Sequence, residues 1–350
     1  MDRTVLVTGG AGFIGGQLID RLLAESGHHV VCVDKLTYAA NRPRLAAHIE
    51  GGLDFHRIDL ADSSKIESLL AATRPDIIFH LAAESHVDRS IDGPSTFIET
   101  NVIGTLNLLQ ASLELWRSMG ADQARRFRLI HVSTDEVFGS APGATLFDDQ
   151  TRYDPRSPYS ASKAAADHLV RAWHATYGLP GIVTTTSNNY GPFQFPEKLI
   201  PHTVVRALTG QSIPVYGDGR HVRDWIHVSD HVEGLLAAAE LGKPGDSYLF
   251  GARNTIPNLD LIERICTILD DTNPNEHSYR SQMEFVNDRP GHDRRYAIDP
   301  NRAEQQLGWQ AKTRFDEGLR QVVRWYVQNE AWWREIMSGG YETHRLGVAR

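Results

Sequence analysis

The sequence predicts an α/β fold, in which a doubly wound parallel sheet is followed by a smaller C-terminal α/β lobe. Through the first 190 residues, short apolar runs typical of buried strands alternate with helical patterns. After that point, prolines interrupt the chain, and helices alternate with short strands. A chain of 350 residues suffices for one large domain and one smaller lobe. We therefore expect a large domain over residues 1–190, a second lobe over 191–340 and a tail over 341–350.

A glycine-rich turn follows the first apolar run. Residues 4–8 predict a short buried strand, and Gly9, Gly12 and Gly15 come directly after it. Glycines at this spacing permit a tight turn, close approach of the backbone to a pyrophosphate and close packing of helix on sheet. The helix that begins near Phe13 then offers free N–H groups to phosphate oxygens. The pattern predicts a Rossmann-like dinucleotide site over the first domain.

Acidic residues end the next two strands. The run of residues 29–33 ends at Asp34, and the run of residues 53–58 ends at Asp59. An acid about 20 residues beyond the glycine motif hydrogen-bonds the adenosine ribose and repels a 2′-phosphate, so Asp34 favours NAD over NADP. Asp59 stands where an acid could meet the adenine. The alternative is that Asp34 caps a helix or lies on the surface.

Three further strands complete the predicted parallel sheet: residues 76–80, 128–134 and 182–186. Residues 97–116 have apolar side chains at helical spacing and predict a long helix that carries Thr100. His86 follows the fourth strand and could by type be a base. A substrate-lining or structural role is the commoner one for a histidine in such a position.

A Tyr-x-x-x-Lys helix follows the fifth strand. Ser157 suits the N-cap, Pro158 suits the first helical residue, and Gly178 predicts the end. Tyr159 and Lys163 are four residues apart and share one helix face. A neighbouring ammonium and the positive helix end both favour phenolate, which would lower the tyrosine pKa from its usual value of about 10. A chance pair of surface side chains is the alternative, but the position after the glycine motif favours an active site.

Strand five ends in a hydroxyl, a hydroxyl and two acids, Ser133-Thr134-Asp135-Glu136. In a continuing strand, neighbouring side chains point to opposite faces, so the two acids could not share one substrate. The following Phe138-Gly139 indicates that the strand has already ended, which lets both acids face one cleft. Two carboxyl groups in one cleft push their pKa values apart, leaving one protonated as an acid and one ionised as a base. A pair of solvated loop acids is the alternative.

Arginines recur in the C-terminal lobe. Arg223, in Arg223-Asp-Trp225, and the loop of residues 288–295 stand out. Guanidinium groups suit a diphosphate, so we expect these arginines to bind a small anionic ligand, although most single arginines are simply solvated.

Composition excludes several other classes. The net charge is −8 without long runs of like charge, which argues against nucleic-acid binding. The two cysteines, Cys32 and Cys266, have no partners at ligand spacing, so we expect neither a metal site nor a disulfide framework. The N-terminus lacks a secretory pattern, and no apolar stretch approaches the roughly 18 residues of a membrane span. These observations predict a soluble, cytoplasmic protein.

Together these motifs resemble the extended short-chain dehydrogenase/reductase family and, within it, the bacterial dTDP-glucose 4,6-dehydratases. The likeness reaches almost to the C-terminus, at residues 307–309. The stretches that carry it are residues 9–15, 34–38, 81–91, 133–137, 159–163, 187–192, 196–201, 223–225 and 288–299. Residues 134–136 and the loop 289–296 are typical of the dehydratases rather than of the wider family. Phe138 stands where tyrosine is common, and Leu249-Phe-Gly-Ala252 replaces the usual Asn-Ile-Gly-Gly.

The resemblance implies a hydro-lyase that uses NAD to convert dTDP-glucose into dTDP-4-keto-6-deoxyglucose. Tyr159, supported by Lys163, would remove the C4 hydroxyl proton while hydride passes to NAD, and Thr134 would hold the same oxygen. Glu136 would remove the C5 proton, and Asp135 would protonate the departing C6 hydroxyl. The hydride would then return to C6.

Two binding sets are implied by the same resemblance. The cofactor set is Gly9, Gly12, Phe13, Ile14, Gly15, Asp34, Lys35, Leu36, Thr37, Asp59, Leu60, Leu81, Ala82, Ala83, Ser85, Thr100, Tyr159, Lys163 and Asn189. The substrate set is Ser85, His86, Thr134, Asn188, Glu197, Lys198, Leu199, Val215, Tyr216, Arg223, Asn258, Asp288, Arg289, His292 and Tyr296. Members of this family pair through the helices after strands four and five, so the resemblance also implies a homodimer. It implies no nucleic-acid or membrane partner.

Three other readings stay open at this point. A UDP-sugar 4-epimerase would share the Tyr159–Lys163 oxidation but would not need the two acids. A dehydratase acting on UDP-glucose or on GDP-mannose is another, although Asp34 disfavours the NADP that the GDP-mannose enzymes use. A non-catalytic NAD-binding module is the third, and the presence of all five catalytic side chains argues against it.

Overall fold

The computed structural model describes residues 3–25 and 27–338, so the predicted tail of residues 341–350 lies outside the described residues. The strands are β1 Arg3–Thr8, β2 His28–Asp34, β3 Asp54–Arg57, β4 Ile77–His80, β5 Arg128–Thr134, β6 Gly181–Thr186, β7 Asn188–Tyr190, β8 Ile213–Tyr216, β9 Val222–His227, β10 Ser247–Phe250, β11 Thr255–Pro257 and β12 Met283–Val286. The helices are α1 Phe13–Leu23, α2 Arg42–Glu50, α3 Ser63–Thr73, α4 Val87–Asp92, α5 Pro94–Phe97, α6 Gly104–Arg117, α7 Ala121–Arg126, α8 Pro158–Tyr177, α9 Leu199–Leu208, α10 Val228–Leu241, α11 Asn258–Thr272, α12 Asn301–Leu307, α13 Phe315–Gln328 and α14 Glu330–Ser338.

Seven strands form one sheet in the order β10-β6-β5-β4-β1-β2-β3. Every neighbouring pair runs parallel. Alternate residues of a strand serve opposite faces: Val5 and Val7 pack into the core beneath α1 and α10, whereas Leu6 packs into the core beneath α3 and α6. Helices therefore cover both faces of the sheet, and the predicted doubly wound fold is confirmed.

The edge strand of this sheet beside β6, β10, comes from residues well beyond 190. It pairs with β6, and α10 and α12 contribute to the core on the same side as α1. The chain thus returns to the large sheet after the predicted boundary, and the division at residue 190 stays a prediction.

A second core lies under the remaining C-terminal elements. It contains Val204 of α9, Trp225 of β9, Ile265 of α11 and Val322 of α13, together with a three-stranded sheet, β11-β9-β7. The parallel pair β12-β8 stands beside it. Arg206 of α9 and Arg223 of β9 line one cavity together with Glu136, which follows the carboxyl end of β5.

The long helix expected over residues 97–116 is interrupted. Between α5 and α6, Ile98–Ile103 form a π-helical segment that contains Thr100 and Asn101. The Asn101 amide bonds the backbone of Glu84 in both directions, at 2.9 and 3.0 Å, and donates to Ser162 Oγ at 2.8 Å. The wider turn, which often marks a functional segment, joins the loop after β4 to α8.

Two further expectations concern the whole chain. Among the described residues, no helix has both the length and the apolar character needed to cross a membrane. Cys32 and Cys266 are buried, unpaired thiols.

Candidate active site

The carboxyl ends of the parallel strands open into two adjoining cavities, where ligands of open α/β sheets bind. The glycine-side cavity, of about 310 Å³, is lined by the glycine motif, Asp34 and the Tyr159–Lys163 helix. The arginine-side cavity, of about 400 Å³, is lined by Arg223, Arg289 and residues of α9. Glu136 lines both cavities, as do Asn188, Asn189, Gln194, Glu197 and Lys198, so the two cavities adjoin at these residues.

The glycine motif has the geometry that a dinucleotide needs. Gly9 has a φ of +74°, and a Cβ there would lie 2.6 Å from the Ala82 nitrogen, so only glycine fits. Gly12 is the N-cap of α1 and supplies no side-chain cap, which leaves the first N–H groups of the helix for a ligand. These features fit a pyrophosphate group.

Asp34 ends β2 beside this motif. Its Oδ2 accepts from the Ala11 N–H at 3.1 Å, and its Oδ1 accepts from the Leu36 N–H at 2.7 Å. Burial raises the pKa of Asp34, while these two hydrogen bonds oppose that rise. Each carboxylate oxygen has a second lone pair, which leaves capacity for ribose hydroxyls.

Every residue of the predicted cofactor set except Leu36 lines the glycine-side cavity. Leu36 has a φ of +61°, and its side chain packs against the core beneath α1. Sequence reasoning missed Glu84, Phe193 and Gln194, which also line this cavity. Phe193 and Gln194 directly follow the Gly191-Pro192 segment, so that segment was the available signal.

The helix that carries Tyr159 and Lys163 begins and ends as predicted. Ser157 accepts a hydrogen bond from the Ser160 N–H at 3.0 Å and donates its own N–H to Ser160 Oγ at 3.0 Å, a capping box. Pro158 is the first helical residue, and Gly178 ends the helix at a φ of +77°. Both functional side chains are buried and line the glycine-side cavity.

The electrostatics of the pair differ from expectation. Burial raises the pKa of the Tyr159 phenol, and Glu136 adds to the rise, whereas a hydrogen bond with Thr134 opposes it. Lys163 Nζ donates to the Val132 carbonyl oxygen at 2.8 Å, and burial lowers the pKa of Lys163 to about 8. The expectation of a lowered tyrosine pKa is therefore wrong for the protein without ligands, because desolvation of the phenolate outweighs the stabilising contacts.

The two acids stand on one short turn. Asp135–Phe138 form a 3₁₀ turn directly after β5, and Thr134 Oγ1 caps it by accepting from the Glu136 N–H at 3.3 Å. Gly139 ends the turn at a φ of +72°, where a Cβ would lie 2.5 Å from the Asp154 carbonyl oxygen. Asp135 and Glu136 both line the glycine-side cavity. The prediction that the strand ends before the acids and lets both face one cleft is confirmed.

The two carboxyl groups have unlike surroundings. Burial raises the pKa of Asp135 well above its ordinary value, and the charge of Glu136 raises it further. Burial also raises the pKa of Glu136, but Arg289, Lys198 and Arg223 oppose that rise. Asp135 Oδ2 is buried and makes no hydrogen bond within the described part of the chain. Asp135 is thus suited to donate a proton, and Glu136 to accept one.

Two guanidinium groups, of the buried Arg223 and the partly buried Arg289, line the arginine-side cavity. Arg223 donates to the carbonyl oxygens of Val222 at 2.8 Å and of Asp293 at 3.0 Å. Arg289 Nη1 donates to Asp88 Oδ1 at 3.1 Å. Burial lowers the pKa of Arg223, and the like charge of Arg289 contributes to the fall. Two neighbouring like charges that face one cavity favour an anionic ligand there, such as a diphosphate.

Most of the predicted substrate set lines one cavity or the other. These residues are Ser85, His86, Thr134, Asn188, Glu197, Lys198, Leu199, Tyr216, Arg223, Asn258, Arg289 and His292. Val215, Asp288 and Tyr296 do not: Val215 lies in the second core, and Tyr296 lies under the Arg223 guanidinium, 4.2 Å from ring centre to Cζ. Asp88 lines the arginine-side cavity and was missed, because its contact with Arg289 joins residues distant in sequence.

His86 has a structural contact in addition to lining the cavity. Its Nδ1 accepts from the Arg89 N–H at 3.4 Å and caps α4. Burial lowers its pKa to about 2, so the ring is neutral.

Asp288 lies instead between two histidines. It contacts His221 Nε2 at 3.1 Å and His292 Nδ1 at 2.7 Å, near enough for the three groups to share a cation. The two rings, however, stack 3.7 Å apart at an interplanar angle of 14°, so their lone pairs do not converge on one point. Burial lowers the pKa of His292 to about 2, and the charges of Arg289 and Arg223, which would also repel a cation, contribute. We assign no metal role to this cluster.

Comparisons with known proteins identify the enzymes that this chain resembles in sequence and in structure. A family model described as GDP-mannose 4,6 dehydratase matches residues 6–322. The dTDP-glucose 4,6-dehydratase 1 of Escherichia coli K12 is 47% identical over 349 residues, covering 97% of each chain. The dTDP-glucose 4,6-dehydratase of Neisseria meningitidis is 46% identical and covers 99% of this chain and all of its own, 100%. Among solved structures, DesIV from Streptomyces venezuelae, a dTDP-glucose 4,6-dehydratase with NAD bound, has a TM-score of 0.86 at 41% identity and covers 95% of this chain and 99% of its own.

The same fold also occurs in enzymes other than dehydratases. The UDP-glucose 4-epimerase of Thermotoga maritima has a TM-score of 0.82 at 27% identity and covers 93% of this chain and 99% of its own. Backbone shape therefore defines the wider class, the extended short-chain dehydrogenases/reductases that bind nucleotide sugars. Sequence identity of 47% over 97% of both chains assigns this chain more narrowly: it belongs to the dTDP-glucose 4,6-dehydratase family.

Proposed function

We propose that this protein is an NAD-dependent dTDP-glucose 4,6-dehydratase that forms dTDP-4-keto-6-deoxyglucose with loss of water. The observation that carries the proposal is the placement of Asp135 and Glu136 in the same cavity as Tyr159 and Thr134. Oxidation of the sugar at C4 needs only Tyr159 and Thr134 beside the cofactor. Elimination of water across C5 and C6 needs an acid and a base as well, and the acid pair supplies them.

The residues present fit NAD. The cradle at Gly9, the free N–H groups after Gly12 and the carboxylate of Asp34 match its pyrophosphate and its unphosphorylated ribose. When bound, NAD supplies the hydride acceptor for C4 and the hydride donor for C6.

Tyr159 accepts the proton of the C4 hydroxyl, and Thr134 donates a hydrogen bond to the same oxygen. Burial and Glu136 raise the pKa of the Tyr159 phenol, so the phenolate that this step needs must be stabilised by nearby positive charge. Lys163 lies on the same helix face, and its amine donates to the Val132 carbonyl oxygen near the end of β5. We infer that Lys163 supplies this charge.

Glu136 and Asp135 divide the elimination. The C4 ketone acidifies the C5 proton, which Glu136 removes as the base. Asp135, protonated through burial and the charge beside it, gives its proton to the C6 hydroxyl, which leaves as water. The hydride taken from C4 returns to C6, and Glu136 returns the proton to C5, so the cofactor ends unchanged and the net reaction is loss of water.

The arginine-side cavity binds the nucleotide diphosphate. Arg223 and Arg289 face this cavity, and Glu136 at its junction with the glycine-side cavity places the sugar between diphosphate and cofactor. The names of the relatives favour thymidine over uridine as the nucleoside. Steady-state kinetics with dTDP-glucose and UDP-glucose side by side test this choice: a kcat/KM for UDP-glucose equal to or above that for dTDP-glucose would reject it.

A single isotope experiment tests the reaction. The enzyme with NAD is given dTDP-glucose deuterated at C4, and the label is followed by NMR. We expect deuterium at C6 of a 4-keto-6-deoxy product. Label retained at C4 of an epimerised sugar would establish a 4-epimerase instead, which the shared fold with the Thermotoga maritima enzyme makes the natural rival. Unchanged substrate would leave only a binding module.

We also propose that the enzyme is a homodimer joined through the helices after β4 and β5. Ile98 and Ile103, on the segment that follows β4, are large apolar side chains with 46% and 41% of their surface exposed, which supports a covered face. Light scattering should give twice the chain mass for the wild type and one chain mass for the variant Ile98→Glu with Ile103→Glu.

The buried, unpaired thiols of Cys32 and Cys266 support a reducing, cytoplasmic location, which cell fractionation tests.

A further inference from the structure

Asp167 lies behind the active site. It is on α8, four residues after Lys163 and eight after Tyr159, so the three side chains lie along one side of the helix. Its side chain is fully buried, yet it lines neither cavity. A buried carboxyl group is costly unless it is well paired, and the proposed reaction gives this one no task.

Three donors from two segments converge on the Asp167 carboxylate. His131 Nε2 lies 3.1 Å from Oδ1, Ser133 Oγ donates to Oδ2 at 2.7 Å, and Tyr153 OH donates to Oδ2 at 2.8 Å. His131 and Ser133 are alternate residues of β5 and so face the same side of the sheet. Tyr153 belongs to the loop between α8 and the 3₁₀ turn Asp135–Phe138, which we call the acid turn.

These contacts join the two halves of the site. Ser133 directly precedes Thr134 and the acid turn, whereas Asp167 is part of the helix that carries Tyr159. Tyr153 packs edge-on against Phe138, the last residue of the acid turn, with ring centres 5.2 Å apart. The Asp167 carboxylate therefore holds the acid turn in a fixed position relative to the helix that carries Tyr159.

Charge adds a second connection. Burial acts to raise the pKa of Asp167, but hydrogen bonds from His131 and Ser133 and the charge of Lys163 help to outweigh it and hold that pKa below its ordinary value. Burial lowers the pKa of Lys163, and Asp167 opposes the fall. The other ionisable groups around this pair are His80, His131, Tyr153, Tyr159 and Arg171. Burial holds both histidines neutral and both tyrosines protonated near pH 7, and Arg171 donates to Tyr153 OH at 2.9 Å.

We propose that Asp167 is a positioning residue, which holds the Tyr159–Lys163 helix in register with the acid turn and supplies the buried counter-charge of the Lys163 ammonium. The inference rests on the proposed function, because register between the phenol and the acids matters only if both act on one sugar.

The test is Asp167→Asn in the full-length enzyme with NAD and dTDP-glucose. We expect kcat to fall roughly 10- to 100-fold, since small displacements of reacting groups have effects of that size, with KM changed less than about threefold. Lys163 must keep its proton, so activity is lost as the pH rises through the pKa of Lys163. Without the Asp167 charge, this high-pH limb of the kcat profile should move to lower pH, which a merely structural role would not cause.

Two matched variants separate register from charge. The variant Ser133→Ala with Tyr153→Phe keeps the carboxylate and breaks two of its bonds, so kcat should fall with the high-pH limb unchanged. Asp167→Glu should keep the limb at its wild-type position. Wild-type kcat and an unmoved limb in Asp167→Asn would overturn the inference. Should that variant fail to fold, an unaltered kcat in the Ser133→Ala, Tyr153→Phe enzyme would overturn it.

The wild type is assayed in parallel with C4-deuterated substrate. A wild type that fails to move the label to C6 rejects the proposed function itself. An active wild type with an unaffected Asp167→Asn enzyme rejects only the role of Asp167.

Discussion

Asp135 and Glu136 are consecutive residues of one 3₁₀ turn, yet their carboxyl groups have unlike electrostatic surroundings. Asp135 is raised in pKa by burial and by its neighbour, whereas Glu136 has three cationic side chains, Arg289, Lys198 and Arg223, acting against burial. A turn rather than a strand makes this possible, because in a strand the two side chains would face opposite sides of the sheet.

The unlike surroundings predict a separation of steps by mutation. Glu136→Gln should still bind NAD and oxidise C4, but exchange of the C5 proton with solvent should fall roughly 10²- to 10⁴-fold, the usual contribution of a general base. Exchange is measured by NMR in D₂O. Asp135→Asn is the matched control, since it should retain C5 exchange and lose release of water from C6. Undiminished exchange in Glu136→Gln would assign the base to another residue.

Gly139 should be required for the position of the acids. Gly139→Ala places a methyl group 2.5 Å from the Asp154 carbonyl oxygen at a φ of +72°, so we expect a loss of roughly 1–3 kcal/mol of stability from strain and a fall in kcat as the turn shifts. Gly143→Ala is the control, because Gly143 also has a positive φ, +53°, but has open space around its Cα hydrogens. Denaturation in urea and steady-state kinetics measure both effects. Equal kcat values for the two variants would contradict the prediction.

Arg289 should contribute to substrate binding more than to cofactor binding. Arg289→Gln removes a partly buried guanidinium from the arginine-side cavity, so the KM for dTDP-glucose should rise about 10- to 100-fold, the equivalent of one charge-assisted hydrogen bond. NAD affinity, followed by titration calorimetry, should stay the same. The control is Arg294→Gln, since Arg294 is half-exposed and pairs with Asp218 on the surface. A KM within about twofold of wild type would exclude Arg289 from diphosphate binding.

Stability should fall as the pH drops from about 7 to 6, because the unfolded chain takes up protons on histidines whose ordinary pKa is about 6.5. Burial lowers the pKa of His231 to about 3 and of His131 to about 4, so both stay neutral in the folded state over this range. Their contribution is complete above pH 6.5 and is lost as the pH falls towards the folded-state values.

The variant His231→Asn isolates one such group. His231 Nδ1 lies 2.9 Å from Asn189 Oδ1, and asparagine preserves a donor there. The slope of unfolding free energy against pH below 6.5 should decrease by about 1.4 kcal/mol per pH unit relative to wild type, measured by urea denaturation. An identical slope for the wild type and His231→Asn would show that His231 takes up its proton in the folded state.

The sequence by itself determined the features that depend on neighbouring residues. The strand positions, the glycine cradle at Gly9 and the capped start of the helix at Ser157 all follow from short-range patterns, because turn conformation, capping and side-chain alternation are settled within a few residues. The end of β5 before Asp135 also follows from the adjacent Phe138-Gly139.

Tertiary structure decided what depends on residues far apart in the chain. It adds β10 to the edge of the large sheet, brings Asp88 to Arg289 across 201 positions, and buries the Tyr159 phenol so that its pKa rises rather than falls. It also gathers His131, Ser133 and Tyr153 around Asp167. Burial and charge at a site are sums over every segment that packs there, and local sequence contains only one segment at a time.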